Sequence, residues 1–242
     1  MKPQFLTPGG SIISTFPRAL DSYAVFSGTS MSCPLAAAIY ALLLNVRGTK
    51  DPKTLESVIS SAFKPILWEF GVDSELGPYL APAPQQGAGL VQAWDAAYAT
   101  TLFGVSSISF NDTERFVPTK NFSIHNTGSE SLTYNLGHVP AGIVYTFGTD
   151  GSKRPLRLAY TAPVGIFASL AISPSEITIP AGERRFITVT ATPPAGLDLE
   201  RLPVYSGYIT INSTDGTALS LPYLGVAGTQ PLDPHHRQLH RP

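Results

Sequence analysis

Residues 28–34 read Gly-Thr-Ser-Met-Ser-Cys-Pro, and residues 35–44 continue as L-A-A-A-I-Y-A-L-L-L. A helix that is apolar on all sides is normally buried, so residues 35–44 are predicted to form the central helix of a larger body. Ser30 stands just before this helix, where the positive end of the helix dipole lies close to its hydroxyl and N–H groups. An oxyanion formed there can accept a backbone N–H, as in acyl-transfer chemistry.

The same local pattern has a simpler interpretation, in which Thr29 or Ser30 only caps the helix. Gly28 allows the backbone to approach a neighbour closely at the turn. Pro34 costs little early in a helix, because its missing N–H would have no helical partner there. Gly28 and Pro34 are compatible with either role for Ser30, helix cap or nucleophile, so the local sequence leaves both interpretations open.

Three segments, in the expected order, resemble motifs of the subtilisin family of serine proteases. Residues 28–34 resemble its serine motif G-T-S-M-[AS]-x-P. Residues 7–15, T-P-G-G-S-I-I-S-T, resemble A-P-G-x-x-I-x-S-T, and residues 86–91, Q-G-A-G-L-V, resemble Q-G-x-G-x-V. The resemblance implies a serine-type endopeptidase that forms an acyl-enzyme on Ser30. It also assigns the serine motif and the backbone part of the oxyanion site to Gly28, Thr29, Ser30 and Met31.

The other catalytic motifs of that family are not found in these 242 residues. No Asp stands in D-[ST]-G, and none of the five His stands in H-G-T; all five follow Ser30, namely His125, His138, His235, His236 and His240. Without a base, a serine hydroxyl is a poor nucleophile, and triad members act as a unit. We therefore expect a truncated chain that is inactive by itself, with His125 and His138 as surface or hydrogen-bonded residues and no metal site at the last three histidines.

The sequence changes its period near residue 103, from helical to alternating. Residues 177–179, 186–192 and 208–211 are strands by composition and alternation. About seven short strands over roughly 125 residues are typical of a β-sandwich. Residues 206–211 and 221–228 resemble the fibronectin-III-like domain of large secreted or cell-envelope subtilases. The predicted fold is thus an α/β remnant, mostly helical, followed by an all-β fibronectin-III-like sandwich.

The predicted domains are 1–102, the C-terminal portion of a subtilisin-like peptidase domain; 103–230, the β-sandwich; and 231–242, a disordered tail. Within the first, Asp51-Pro52 predicts the start of a second helix, and a third is expected from about Leu90 to Ala99. The alternative to a protease is a non-catalytic binding or structural module centred on the β-sandwich, with the helical part vestigial.

The composition limits the classes of partner that can be expected. Net charge is −1, and the 16 Lys and Arg form no basic stripe, so a nucleic-acid partner is not expected. We expect polypeptide substrates in the intact enzyme, no cofactor and no transmembrane segment, since no run of about 18 apolar residues occurs. Three glycosylation acceptors within the predicted β-sandwich indicate secretion, at Asn111, Asn121 and Asn212. The predicted location is extracellular or at the cell envelope, although the start of this chain lacks a signal peptide.

Overall fold

The computed structural model describes residues 3–68, 79–151, 154–155 and 166–229. The predicted disordered tail, with His235, His236 and His240, lies outside these residues. The described part divides into a mainly helical region up to about residue 100 and a β-sandwich beyond it.

Four α-helices and one short 3-10 helix, at Arg18–Leu20, belong to the described part of the first region. Helix α1 spans Thr29–Arg47 and ends at Gly48, whose φ of 62° is the left-handed conformation typical of a helix C-terminus. Helix α2 spans Pro52–Ser60, and Asp51 caps it by accepting the Thr54 N–H at 2.9 Å; the predicted start is confirmed. Two short helices follow, α3 at Ala83–Gln86 and α4 at Ala93–Tyr98.

Short antiparallel strand pairs complete this region. Strands β1 (Ile12–Thr15) and β2 (Tyr23–Phe26) form a hairpin just before α1. Strand β3 (Phe63–Lys64) pairs with β4 (Leu90–Val91). The prediction that the third helix begins at Leu90 is wrong, because Leu90 and Val91 hydrogen-bond as a strand and the helix starts only at Ala93.

The second region is built from two sheets. Its strands β5 to β14 span, in chain order, Thr101–Phe103, Ile108–Ser109, Thr119–Asn126, Leu132–Pro140, Val144–Tyr145, Ser169–Ser173, Glu176–Ile179, Arg184–Thr192, Pro203–Ser213 and Ala218–Val226. One sheet has four strands in the order β10-β12-β7-β5. The other has six, in the order β11-β8-β13-β14-β6, with β9 paired to β13. The pairs are antiparallel except β14 with β6.

The sandwich has a closed apolar core. Alternate residues of β13, among them Tyr205, Ile209 and Ile211, point into it and are almost fully buried. They meet Phe122 and Ile124 of the opposite sheet in the same cluster. Ten strands are present in the described part where about seven were expected, because short strands such as β6 and β9 carry too few residues to show alternation. The β-sandwich prediction itself is confirmed.

Buried hydrogen bonds join the two regions. The Tyr208 hydroxyl donates to the carbonyls of Ala81 and Gly87, at 3.1 and 3.2 Å. The Ala83 N–H donates to Ser206 Oγ at 3.0 Å. The predicted boundary at residue 102 falls within β5, which pairs with β7 of the sandwich; the division into domains stays a prediction.

Helix α1 is covered on one face only by the described part of the chain. Only Ile39 and Leu43 are buried, whereas Leu42 is 63 % exposed. The two buried residues pack in a cluster with Leu55 and Val58 of α2. That α1 is the buried central helix of a larger body therefore stays a prediction.

The exposed helix also bears on membranes. Helix α1 has the length and composition of a membrane-crossing helix, with a mean hydropathy of 1.5 over 18 residues. Core helices of other proteins satisfy the same criterion, so one helix of this kind is weak evidence for a span. The expectation of no transmembrane segment therefore stays a prediction.

Candidate functional site

Ser30 lies in the first turn of α1 and is exposed to solvent. The helix starts at Thr29, so Ser30 stands within its first turn rather than just before it. The first N–H groups of an α-helix have no partner within the helix itself. Gly28 O accepts the N–H groups of Met31 and Ser32, at 3.0 and 3.3 Å. The Ser30 N–H precedes both, at the positive end of the longest helix described.

Two glycines shape the turn that leads into Ser30. Gly28 has a φ of 155°, which residues with a side chain rarely adopt. Its N–H donates to the Gly9 carbonyl at 2.8 Å. A Cβ atom at Gly9 would lie 2.7 Å from Gly28 O and 2.9 Å from Ser32 Cβ. The segment at residues 7–10 therefore lies directly against the serine turn, which requires glycine at position 9.

A polar contact between Thr7 and Ser32 fastens the same two segments. Thr7 Oγ1 donates to the Ser32 carbonyl at 2.8 Å, and Ser32 Oγ donates to the Thr7 carbonyl at 2.8 Å. The two hydroxyls also contact each other. Sequence reasoning did not single out this pair. The resemblance of residues 7–15 placed the segment near the serine motif but gave Thr7 and Ser32 no role.

No catalytic base accompanies Ser30 among the described residues. His125 lies in β7, with Nε2 3.3 Å from the Gly182 carbonyl oxygen. His138 lies in β8, with Nε2 2.7 Å from the Tyr223 hydroxyl, and burial lowers the pKa of its imidazole. Both belong to the sandwich and have partners, as expected. The described ranges also hold no group of His, Cys, Asp and Glu side chains that could bind a metal ion.

Within residues 86–91, Gln86 has a structural role. This side chain is fully buried. Its Oε1 accepts the Ile66 N–H at 2.8 Å, and its Nε2 donates to the carbonyls of Ile66 and Ala81, at 3.1 and 2.7 Å. The Trp68 N–H also donates to the Tyr79 carbonyl at 2.9 Å. Gln86 thus joins two chain segments at the junction with the sandwich.

The three predicted glycosylation acceptors lie on the surface of the sandwich region. Asn121 and Asn212 are exposed on β7 and β13. Asn111 is exposed in a turn with a φ of 62° and donates from Nδ2 to the Arg115 carbonyl at 3.1 Å. Their modification stays a prediction.

Two family models match the chain, one in each of its two structural regions. Residues 1–89 match the family model of the subtilase family. Residues 108–224 match the model of an Fn3-like domain. The chain thus has a segment of the subtilase family followed by an Fn3-like domain, and the resemblance seen in residues 7–15, 28–34 and 86–91 is confirmed.

Its curated relatives are proteinases and peptidases. The chain is 28 % identical over 251 residues to the PI-type proteinase of Lactococcus lactis subsp. cremoris, covering 94 % of this chain and 12 % of the relative. It is 28 % identical over 250 residues to a C5a peptidase of Streptococcus pyogenes serotype M1, covering 94 % of this chain and 19 % of the relative. The chain therefore spans less than a fifth of the length of either relative.

Among solved structures, a PapD-like domain of human CEP192 matches 68 % of the chain and 99 % of its own length, with 14 % identity and a TM-score of 0.34.

Proposed function

We propose that this chain supplies the nucleophilic serine of a serine endopeptidase that cleaves polypeptides. The observation that carries the proposal is the placement of Ser30, exposed in the first turn of a 19-residue helix within a segment that matches the subtilase family. The acidic and basic members of the triad would come from polypeptide outside these 242 residues. An extracellular or cell-envelope location is part of the proposal and is supported by the exposed Asn-x-Ser/Thr sites.

In the proposed reaction, Ser30 Oγ attacks the carbonyl carbon of the scissile peptide bond and its proton passes to a base. The negative charge develops on the carbonyl oxygen, where the free N–H of Ser30 can donate to it. The peptide C–N bond then breaks, the base returns the proton to the leaving amine, and the acyl group stays on Ser30 until water releases it. Gly28 and Gly9 hold the turn that presents the hydroxyl.

The exposed surface of α1 indicates where the missing part would bind. Leu35, Leu42 and Val46 of the helix are exposed, as are Ile13 and Val25 of the neighbouring hairpin. A large exposed apolar surface usually marks an interaction site. Further polypeptide packed on this surface would lie beside Ser30. A non-catalytic sandwich module, the alternative function, gives these exposed residues no role.

Activity tests the proposal. The purified 242-residue chain is expected to cleave no peptide faster than its Ser30→Ala variant and not to react with a fluorophosphonate probe, because no base lies beside Ser30 among the described residues. We expect the opposite of a longer polypeptide in which a part with the D-[ST]-G and H-G-T motifs of the family precedes this chain. That polypeptide should react with the probe and should cleave peptides.

The matched control is Ser129→Ala in the longer polypeptide, an exposed serine of the sandwich that leaves Ser30 and its turn in place. Labelling that is lost in the Ser30→Ala variant and retained in Ser129→Ala supports the assignment. Ser30-dependent cleavage by the 242-residue chain alone would contradict it, since a base would then have to come from within these 242 residues. Labelling that survives Ser30→Ala would assign the nucleophile to another residue.

A further inference from the structure

A cleft of about 430 Å³ lies between helix α4 and the turn that joins β13 to β14. Trp94, Asp95 and Tyr98 line it from α4, and Asp215 lines it from the turn. Lys64 of β3 contributes to the same lining. The cleft is separate from Ser30, and neither the family resemblance nor the proposed peptidase reaction uses it.

The aromatic residues of the cleft are unusually exposed. Trp94 is 74 % exposed and Tyr98 is 55 % exposed. Their rings stand one helical turn apart, with centroids 4.5 Å apart and planes tilted by 49°. Trp is highly buried on average in folded proteins, and exposed Trp and Tyr often supply the binding energy of interaction sites. The tilt gives two ring faces at an angle rather than one flat platform.

The charges of the cleft favour a cation. Asp95 and Asp215 oppose the single positive charge of Lys64, so the lining has a net negative charge. The Asp215 carboxylate accepts the Thr217 N–H at 2.9 Å. Although burial alone would raise it, the hydrogen bonds from Thr217 hold the pKa of Asp215 below its ordinary value. Asp215 is therefore ionised at neutral pH.

An arginine side chain has both properties that this lining favours, namely a flat face that stacks on aromatic rings and a positive charge. A guanidinium ion stacks on the face of Trp or Tyr and donates hydrogen bonds to carboxylates. A neutral sugar ring could stack on the aromatic rings but would gain nothing from the net charge. We propose that the cleft binds an arginine side chain of a polypeptide, with the guanidinium against Trp94 and Tyr98 and its charge balanced by Asp95 and Asp215.

Fluorescence provides a direct test on the full 242-residue chain. The chain has two Trp, and Trp68 is buried, so Trp94 is the one exposed to a ligand. Titration with a capped tetrapeptide containing two central arginines is expected to change the Trp emission saturably, and added NaCl should weaken the binding. The same peptide with citrulline in place of arginine, which keeps the shape without the charge, should bind at least several-fold more weakly.

Four variants locate the binding, with affinity measured by calorimetry. Trp94→Ala is expected to weaken it by about two- to five-fold, the usual range for an exposed cation–π contact. Asp215→Asn, which keeps the Oδ1 acceptor for Thr217 but removes the charge, should also weaken it. The matched controls Phe186→Ala and Asp112→Asn, an exposed aromatic and an acid outside the cleft, should bind like the unaltered chain.

Three results would overturn the proposal. Equal affinity for the citrulline peptide would show that charge has no role. Binding of maltopentaose through Trp94 without binding of the arginine peptide would identify a carbohydrate site. No saturable response to the arginine peptide at millimolar concentration would mean that the cleft is not a guanidinium site.

Discussion

The two regions differ in how far their apolar residues are buried. In the sandwich, Ile209 and Ile211 are fully buried against the opposite sheet. In the helical region, Leu42 and Val46 of α1 are exposed although they lie on a strongly apolar helix. Apolar sequence alone thus does not decide burial; the number of elements available to cover a face does. The sandwich contains both of its layers, whereas α1 is covered on one face only.

Core truncation should separate the regions most clearly. Ile209→Ala is expected to lower the free energy of unfolding by about 2–5 kcal/mol, because it removes buried methyl groups and leaves a cavity. Leu42→Ala should change it by less than about 0.5 kcal/mol, as for an ordinary surface position. Urea unfolding of both variants measures this difference. Similar losses would mean that α1 is covered in solution, for instance by a second copy.

Removal of one hydroxyl should test how strongly the regions are joined. Tyr208→Phe deletes the donor to Ala81 and Gly87 and leaves buried carbonyls without it, which is expected to cost about 1–3 kcal/mol. The exposed Tyr98→Phe is the matched control and should cost almost nothing. Urea unfolding followed by Trp fluorescence and by circular dichroism checks both variants. An unchanged Tyr208→Phe protein would indicate that the two regions are joined by other contacts.

The smallest effect is expected at Tyr205 in the sandwich core. Its hydroxyl is buried and has no hydrogen-bond partner among the described residues, so Tyr205→Phe should leave stability unchanged or raise it by up to about 1 kcal/mol.

The same residue predicts a pH dependence. Burial raises the pKa of Tyr205 to about 12, whereas an unfolded chain loses this proton near its ordinary value of 10.0. The unfolded state therefore binds fewer protons between these values, and stability falls as pH rises through that window. Urea unfolding at pH 8 and pH 11 should show a smaller fall for Tyr205→Phe. An equal fall in both proteins would assign the alkaline loss to other groups.

Local sequence predicted the elements whose signals are local. Alternation located β11, β12 and β13, and the Asp51-Pro52 pair located the start of α2, because these patterns depend on neighbouring residues. Strand β4 falls within a segment predicted to be helical, because two residues show no period and their strand character comes from pairing with β3. The extent to which α1 is buried has no local signal either, because it depends on which elements are present to cover the helix.

The candidate site could likewise be predicted only where its signals are local. The position of Ser30 at a helix start could be predicted from residues 28–34 alone. The contacts of Thr7 with Ser32 and of Gly9 with Gly28 join segments about twenty residues apart, and single hydroxyls or glycines carry no signal for such pairing. The cleft at Trp94 was missed for the same reason, because its second wall comes from the turn at Asp215.

The three hydrogen bonds of Gln86 have a practical consequence for protein engineering. They bond one buried side chain to the backbone of both Ile66 and Ala81, so a substitution at position 86 releases both segments together. A library that varies the junction between the two regions should therefore keep Gln86 constant, because the Ile66 N–H would otherwise lose its acceptor, at a cost of about 1–3 kcal/mol.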